Sequence, residues 1–179
     1  MRKFFVAVLM VMVLCGISCA EGKTLVAYFS WSGTTKALAE NIAEAGGFDI
    51  FRIRPAKEYS TDYDTVIDVA KKEQNRRARP KLAENVRDFG GYDTVFLGWP
   101  CWWGDMPMAV YTFLESYNLE GKIIMPFATH EGSHMGRTEE NLKKLLPKTT
   151  IGQGLAIYGT TAQTDSEATQ KAVRNWLKK

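Results

Sequence analysis

From residue 21 to the end of the chain, short apolar runs alternate with segments of helical spacing, and that alternation predicts the fold. Leu25–Phe29, Phe48–Ile53, Thr94–Leu97, Ile123–Ala128 and Ile151–Tyr158 predict five strands. Thr35–Ala45 predicts a helix after the first strand, and the polar stretch Asp64–Arg77 one after the second. Val110, Phe113, Leu114 and Tyr117 recur at i, i+3, i+4 and i+7, one face of a third helix. Leu142, Leu145 and Leu146 mark a fourth. Ala172, Val173, Trp176 and Leu177 mark a fifth, which the capping box Thr164-x-x-Glu167 is expected to start. Strands alternating with helices predict a parallel sheet covered on both faces, a three-layer α/β sandwich. Such sheets bind ligands beyond the carboxyl ends of their strands, near the switch in strand order. The loops after strands one, three and four are therefore the expected site.

The first twenty residues do not share this pattern. Arg2 and Lys3, the apolar run Phe4–Leu14, and the small residues Ser18 and Ala20 have the layout of a secretory signal peptide, so residues 1–20 are expected to be removed and 21–179 to fold as one domain. The apolar run is shorter than the roughly 20 residues that cross a bilayer. Gly16-Ile17-Ser18-Cys19 resembles a bacterial lipoprotein box with Gly16 in place of the usual Leu, while Ser18-x-Ala20 suits ordinary cleavage. Either way the expectation is export, to the periplasm or to a membrane through a lipid on Cys19.

At 179 residues, 45% hydrophobic and 24% charged, the composition is that of a soluble globular protein. Removing Arg2 and Lys3 from 23 basic residues leaves 21 against 20 acidic ones, a net charge of +1, which creates no strong field for nucleic acid. Cys101 is the one cysteine away from the N-terminus, so no internal disulfide framework is expected.

Ser30-Trp31-Ser32-Gly33-Thr34-Thr35 joins the first strand to the first helix. A helix N-terminus carries partial positive charge and unsatisfied N–H donors, and it stabilises a phosphate without Lys or Arg. A plain N-cap also favours Ser or Thr, but it uses one hydroxyl where this loop has four. The P-loop and the G-x-G-x-x-G dinucleotide motif do not fit, since the loop has one Gly. Ser30-x-Ser32-Gly33-x-Thr35 resembles the [ST]-x-[ST]-G-x-T loop of flavodoxins, which wraps the phosphate of flavin mononucleotide (FMN).

After the third strand comes Gly98-Trp99-Pro100-Cys101-Trp102-Trp103-Gly104-Asp105-Met106-Pro107. Clustered Trp in a solvent-facing loop would expose much apolar area, whereas a flat tricyclic ligand stacks on indole faces. Trp99 fits a core plug as well as a ligand contact. The segment is similar to the G-x-P-x-W-W-G-x-M-P signature of the same family. The resemblance implies contacts to the flavin from Pro100, Cys101, Trp102, Trp103 and Gly104, with Trp103 stacking and a peptide beside Gly104 facing flavin N5. Asp105, with Pro107 after it, is expected to cap the next helix. Thr129-His130-Glu131-Gly132-Ser133-His134-Met135-Gly136 follows the fourth strand and by resemblance holds the pyrimidine edge of the flavin through Thr129, His130, Glu131 and Gly132. It lacks the Tyr that often stacks on the outer flavin face there, leaving that face open or covered by His130, His134 or Met135.

The resemblance covers residues 23–177. It implies a five-stranded flavodoxin-like sheet of order 2-1-3-4-5, with an uninterrupted last strand as in the short-chain branch. FMN is the implied cofactor, and no metal set is expected, since the two histidines lack further ligands. The basic run Lys71–Lys81 has no interleaved aromatics and is expected to be a solvated helix end. Cys101 lacks the Arg six positions on that a tyrosine phosphatase requires. Two functions remain: an electron carrier to a redox partner protein, and an FMN oxidoreductase that reduces a small acceptor such as a quinone or nitroaromatic. The near-neutral charge and the missing Tyr favour a substrate more than the acidic docking surface of typical carriers.

Overall fold

The computed structural model describes residues 22–179, so the expectations for residues 1–20 lie outside the described residues. The strands are β1 (Lys23–Tyr28), β2 (Asp49–Arg52), β3 (Tyr92–Pro100), β4 (Ile123–His130), β5 (Thr150–Ile151) and β6 (Leu155–Tyr158). The helices are α1 (Thr34–Gly46), α2 (Tyr63–Arg76), α3 (Met108–Glu115), α4 (Thr138–Leu145), α5 (Gly159–Thr164) and α6 (Ser166–Trp176). All strand pairs are parallel, in the order β2-β1-β3-β4-β5, with β6 also on β4.

Continuous apolar strands follow from burial on both faces, because successive side chains point to opposite layers. Val26, Tyr28, Phe96 and Phe127 pack on one side with Leu38 and Ile42 of α1 and Val173 and Trp176 of α6. Leu25, Ala27, Leu97 and Ile124 pack on the other with Val110, Phe113 and Leu114 of α3 and Leu142 of α4. Trp99 is fully buried in this second cluster, so it plugs the core, and its indole N–H has no partner.

Two local expectations change. The last strand is two pieces on the same edge of β4, interrupted at Gly152-Gln153-Gly154. There the Gln153 carbonyl turns from the sheet to accept the Trp176 indole N–H at 2.8 Å. The final helix is capped by Asp165, whose carboxylate accepts from Ala168 N–H at 2.9 Å, and not by Thr164. Thr164 ends the short helix α5 and donates its hydroxyl to Thr160 O. Tertiary packing of α5 against α1 makes the helix that the pattern did not predict.

Candidate functional site

The loops after β1, β3 and β4 meet at the carboxyl edge of the sheet, joined by the segment after β2. In the first loop Ser30 is buried, and its hydroxyl accepts from Gly33 N–H at 3.2 Å. Thr35 is buried as well, sharing a 2.7 Å hydrogen bond with Thr129 at the end of β4. Ser32 is exposed and Thr34 half-buried, with hydroxyls 3.0 Å apart, and Gln163 of α5 donates to Thr34 at 2.5 Å. No side chain caps α1, and its first turn has no acidic residue. The uncapped N–H groups, with two outward hydroxyls beside them, are the donor set a phosphate needs.

Trp31 leaves this loop and donates its indole N–H to Ser60 O at 2.8 Å, beside Tyr63. Trp31, Tyr63, Val66, Cys101, Trp102 and Trp103 line a cavity of about 240 Å³. Trp102 stands edge-on to Phe29 and Tyr59, with ring centroids 5.4 Å away in both cases. Trp103 is 48% exposed and lies on α2, donating its indole N–H to Ile67 O at 3.0 Å, with the Lys71 ammonium 4.9 Å from its ring centroid. The aromatic walls and the uncapped helix end suit the ring and phosphate ends of FMN, which is the group implied by the resemblance. Ser32, Gly33 and Thr34 lie at the uncapped helix end, and Trp31, Cys101, Trp102 and Trp103 line the aromatic cavity.

Residues 102–105 form a tight turn closed by reciprocal hydrogen bonds, Trp102 N–H to Asp105 O at 2.9 Å and Asp105 N–H to Trp102 O at 3.0 Å. Both central residues have positive φ, +53° at Trp103 and +73° at Gly104, the signature of a type I′ turn. Gly takes such a φ without the Cβ clash that Trp103 bears. The Gly104 carbonyl accepts from Arg137 N–H at 2.9 Å, while the Trp103 carbonyl meets only Gln74 Nε2, at 3.5 Å. The more loosely held peptide is thus the one between Trp103 and Gly104.

Asp105 does not cap α3, whose N-cap position is Pro107, without a side-chain bond. Its buried carboxylate accepts from Met106 N–H at 2.8 Å, from the Tyr111 hydroxyl at 3.0 Å and from Asn141 Nδ2 at 2.8 Å. Burial, with the Asp105 charge beside it, pushes the Tyr111 hydroxyl well above the usual tyrosine range, so it stays a donor.

After β4, His130 is buried and its Nδ1 accepts from Gly132 N–H at 2.9 Å, which assigns the ring proton to Nε2. Its ring centroid lies 4.6 Å from that of His134 and 4.5 Å from that of Tyr158. Burial and then the His134 charge lower the His130 pKa from its ordinary value, with Glu131 opposing. Pro100 ends β3, and Cys101 N–H holds the Thr129 carbonyl at 2.8 Å, which ties the third and fourth loops together. The Glu131 carboxylate lies against Gly159 at the start of α5. Among the described residues no His/Cys/Asp/Glu group is arranged to hold a metal.

Sequence reasoning missed Tyr158, Tyr59 and Tyr63. Tyr158 was legible as the last residue of a strand, at the sheet's carboxyl edge. Tyr59 and Tyr63 follow β2, a loop that carried no motif.

A family model for flavodoxin matches residues 23–179. A protein from Bacteroides eggerthii, named as a candidate flavoprotein, is 37% identical, with 87% of this chain and 96% of that one covered and a TM-score of 0.76. A similarly named protein from Bacteroides uniformis is 34% identical, with 88% and 99% covered and a TM-score of 0.75. A flavoprotein from Lactobacillus acidophilus in complex with FMN shares the fold at 23% identity, with 78% and 95% covered and a TM-score of 0.65. No curated protein sequence matches the chain.

Proposed function

The chain belongs to the flavodoxin family and is a flavoprotein whose cofactor is FMN, and from that premise we propose that it transfers electrons through the bound flavin to a redox partner protein. The observation that carries this reading is the placement of an uncapped α1 N-terminus beside a cavity walled by Trp31, Trp102 and Trp103. Bound there, FMN supplies one- and two-electron chemistry that no side chain of the site has. Ser32, Thr34 and the N–H groups of α1 bind its phosphate and fix its position. The Trp side chains would exclude water from the ring, and the loosely held peptide between Trp103 and Gly104 would be the one free to hydrogen-bond to it. His130, neutral through burial, keeps an Nε2 proton available near neutral pH.

A second reading, reduction of a small acceptor such as a quinone, is supported by a cavity of about 580 Å³ lined in part by Tyr59, whose ring contacts Trp102. Tyr59, Val69, Ala78 and Pro80 give it apolar walls. Purified protein is expected to be yellow and to release FMN, and steady-state assays with NAD(P)H and a quinone then separate the readings. Turnover without any added protein partner would favour the enzyme, and colourless protein unable to take up FMN would overturn both.

The layout of Met1–Ala20 supports export as part of the same reading, to the periplasm or as a lipoprotein. Mass spectrometry of the native protein is expected to find an N-terminus at lipid-bearing Cys19 or at Glu21. An intact Met1 would refute export.

A further inference from the structure

We propose that the hollow between the end of α2 and α4, beside the Trp103-Gly104 turn, is a docking site for an acidic protein. The proposal rests on the electron-transfer reading for the partner's role as a redox protein, but not for the surface. The hollow has a volume of about 700 Å³, and Arg77, Arg79, Arg137 and Lys144 line it against Asp105 and Glu140. The chain past the signal segment is nearly neutral, so this is a local concentration of charge and not general basicity.

The partners within the hollow decide which charges remain to bind something else. Arg79 donates to both Glu115 carboxylate oxygens at 2.6 Å and to the carbonyls of Arg77 and Ala78, so it is part of the wall. Lys144 pairs with Glu140 at 2.6 Å. Asp105 is covered by Met106, Tyr111 and Asn141. Among the described residues, the Arg77 and Arg137 guanidiniums make no ion pair or hydrogen bond. They come from two separate segments, the end of α2 and the residue before α4.

Unpaired guanidiniums at a recess suit carboxylates that project into it, since Arg binds a carboxylate through two parallel N–H donors. A membrane presents a plane of headgroups, which reaches convex surfaces better than a recess. The hollow is also continuous with the redox loop. Gln74 on its wall contacts the Trp103 carbonyl, Arg137 N–H holds the Gly104 carbonyl, and Trp103 is half exposed next to Lys71. A partner seated there is steered by charge to the loop that carries the flavin contacts.

The test is fluorescence anisotropy of a fluorescein-labelled 20-residue poly-L-glutamate titrated with FMN-loaded protein at low salt. The double variant Arg77→Glu, Arg137→Glu is expected to bind at least tenfold more weakly, and Arg77→Glu alone at least threefold. Lys171→Glu, Lys178→Glu, which makes the same change in net charge on the opposite face, is expected to change binding less than twofold. Equal losses in both double variants would overturn the site, as would no binding by the unaltered protein. Loss of binding to phosphatidylglycerol vesicles with polyglutamate binding intact would make the hollow a membrane contact and would also overturn it. FMN content of each variant, read by absorbance, reports on the flavin reading separately.

Discussion

The backbone of Gly136 lies against the Gly104 peptide so closely that a Cβ on Gly136 would sit 2.3 Å from the Gly104 carbonyl oxygen. The turn after β3 and the turn after β4 are thus packed backbone to backbone, with Arg137 N–H bonded to the same carbonyl. Gly136→Ala combines a positive φ of +57° with a clash against backbone that cannot swing aside. A Cβ on Gly104, at φ +73°, would meet nothing within 4 Å. Gly104→Ala is expected to cost about 1 kcal/mol, the strain of a non-Gly residue at positive φ. Gly136→Ala is expected to cost clearly more and to weaken FMN binding as well, because it displaces the Trp103 turn. Urea unfolding and FMN fluorescence titration check this, and equal losses for the two variants would refute the coupling.

The four hydroxyls of the first loop divide into two pairs. Ser32 and Thr34 are outward, while Ser30 and Thr35 are buried in bonds to Gly33 and Thr129. A hydrogen bond to a charged group contributes about 1.5–3 kcal/mol, and 1.4 kcal/mol is tenfold in affinity. Ser32→Ala, Thr34→Ala is therefore expected to weaken FMN binding at least tenfold, with little change in riboflavin affinity or in Tm. Thr35→Ala is expected to lower Tm instead, by orphaning the Thr129 hydroxyl. Calorimetry with both ligands distinguishes them, and comparable losses for FMN and riboflavin would remove the phosphate role.

Asp105 is a buried acceptor shared by three donors, so its loss is expected to cost stability without changing helix α3. Each buried partner left unmatched costs about 1–3 kcal/mol. Asp105→Ala is expected to lower Tm strongly, and Tyr111→Phe to lower it less. The double variant is expected to lose less than the two separate losses combined, because removing the hydroxyl removes one orphan. Additive losses in a double-mutant cycle would show that the pair is not coupled.

His130 sets a pH dependence of known sign. Its pKa is lowered in the folded protein from an ordinary value near 6.5, so the folded state binds the proton less readily than the unfolded chain. Its contribution is fully present above about 6.5 and is lost as pH falls through the lowered folded value. His130→Asn retains an acceptor for Gly132 N–H and does not titrate. Between pH 7.5 and pH 5 the unaltered protein is expected to lose more Tm than the variant. Parallel Tm profiles would contradict the assignment.

Most of the strands and helices, and the parallel sheet whose carboxyl edge gathers the loops after strands one, three and four, were legible in the sequence, because each rests on a local pattern. Apolar runs such as Leu25–Phe29 report burial on both faces of a sheet, and the hydroxyls with Gly33 mark the strand–helix junction whose helix end has no side-chain cap. Only the tertiary structure decided how those hydroxyls are spent, since Thr35 meets Thr129 across ninety-four residues of chain. It also decided that Asp105 binds Asn141 and is not a cap, and that Tyr158 closes on His130 and His134. The gathering of Arg77 and Arg137 at one hollow belongs with these. Periodicity assigns a residue to a face of its own element. Which distant residue stands opposite follows from the strand order and from the register of the parallel crossovers, which exist only once the sheet has formed.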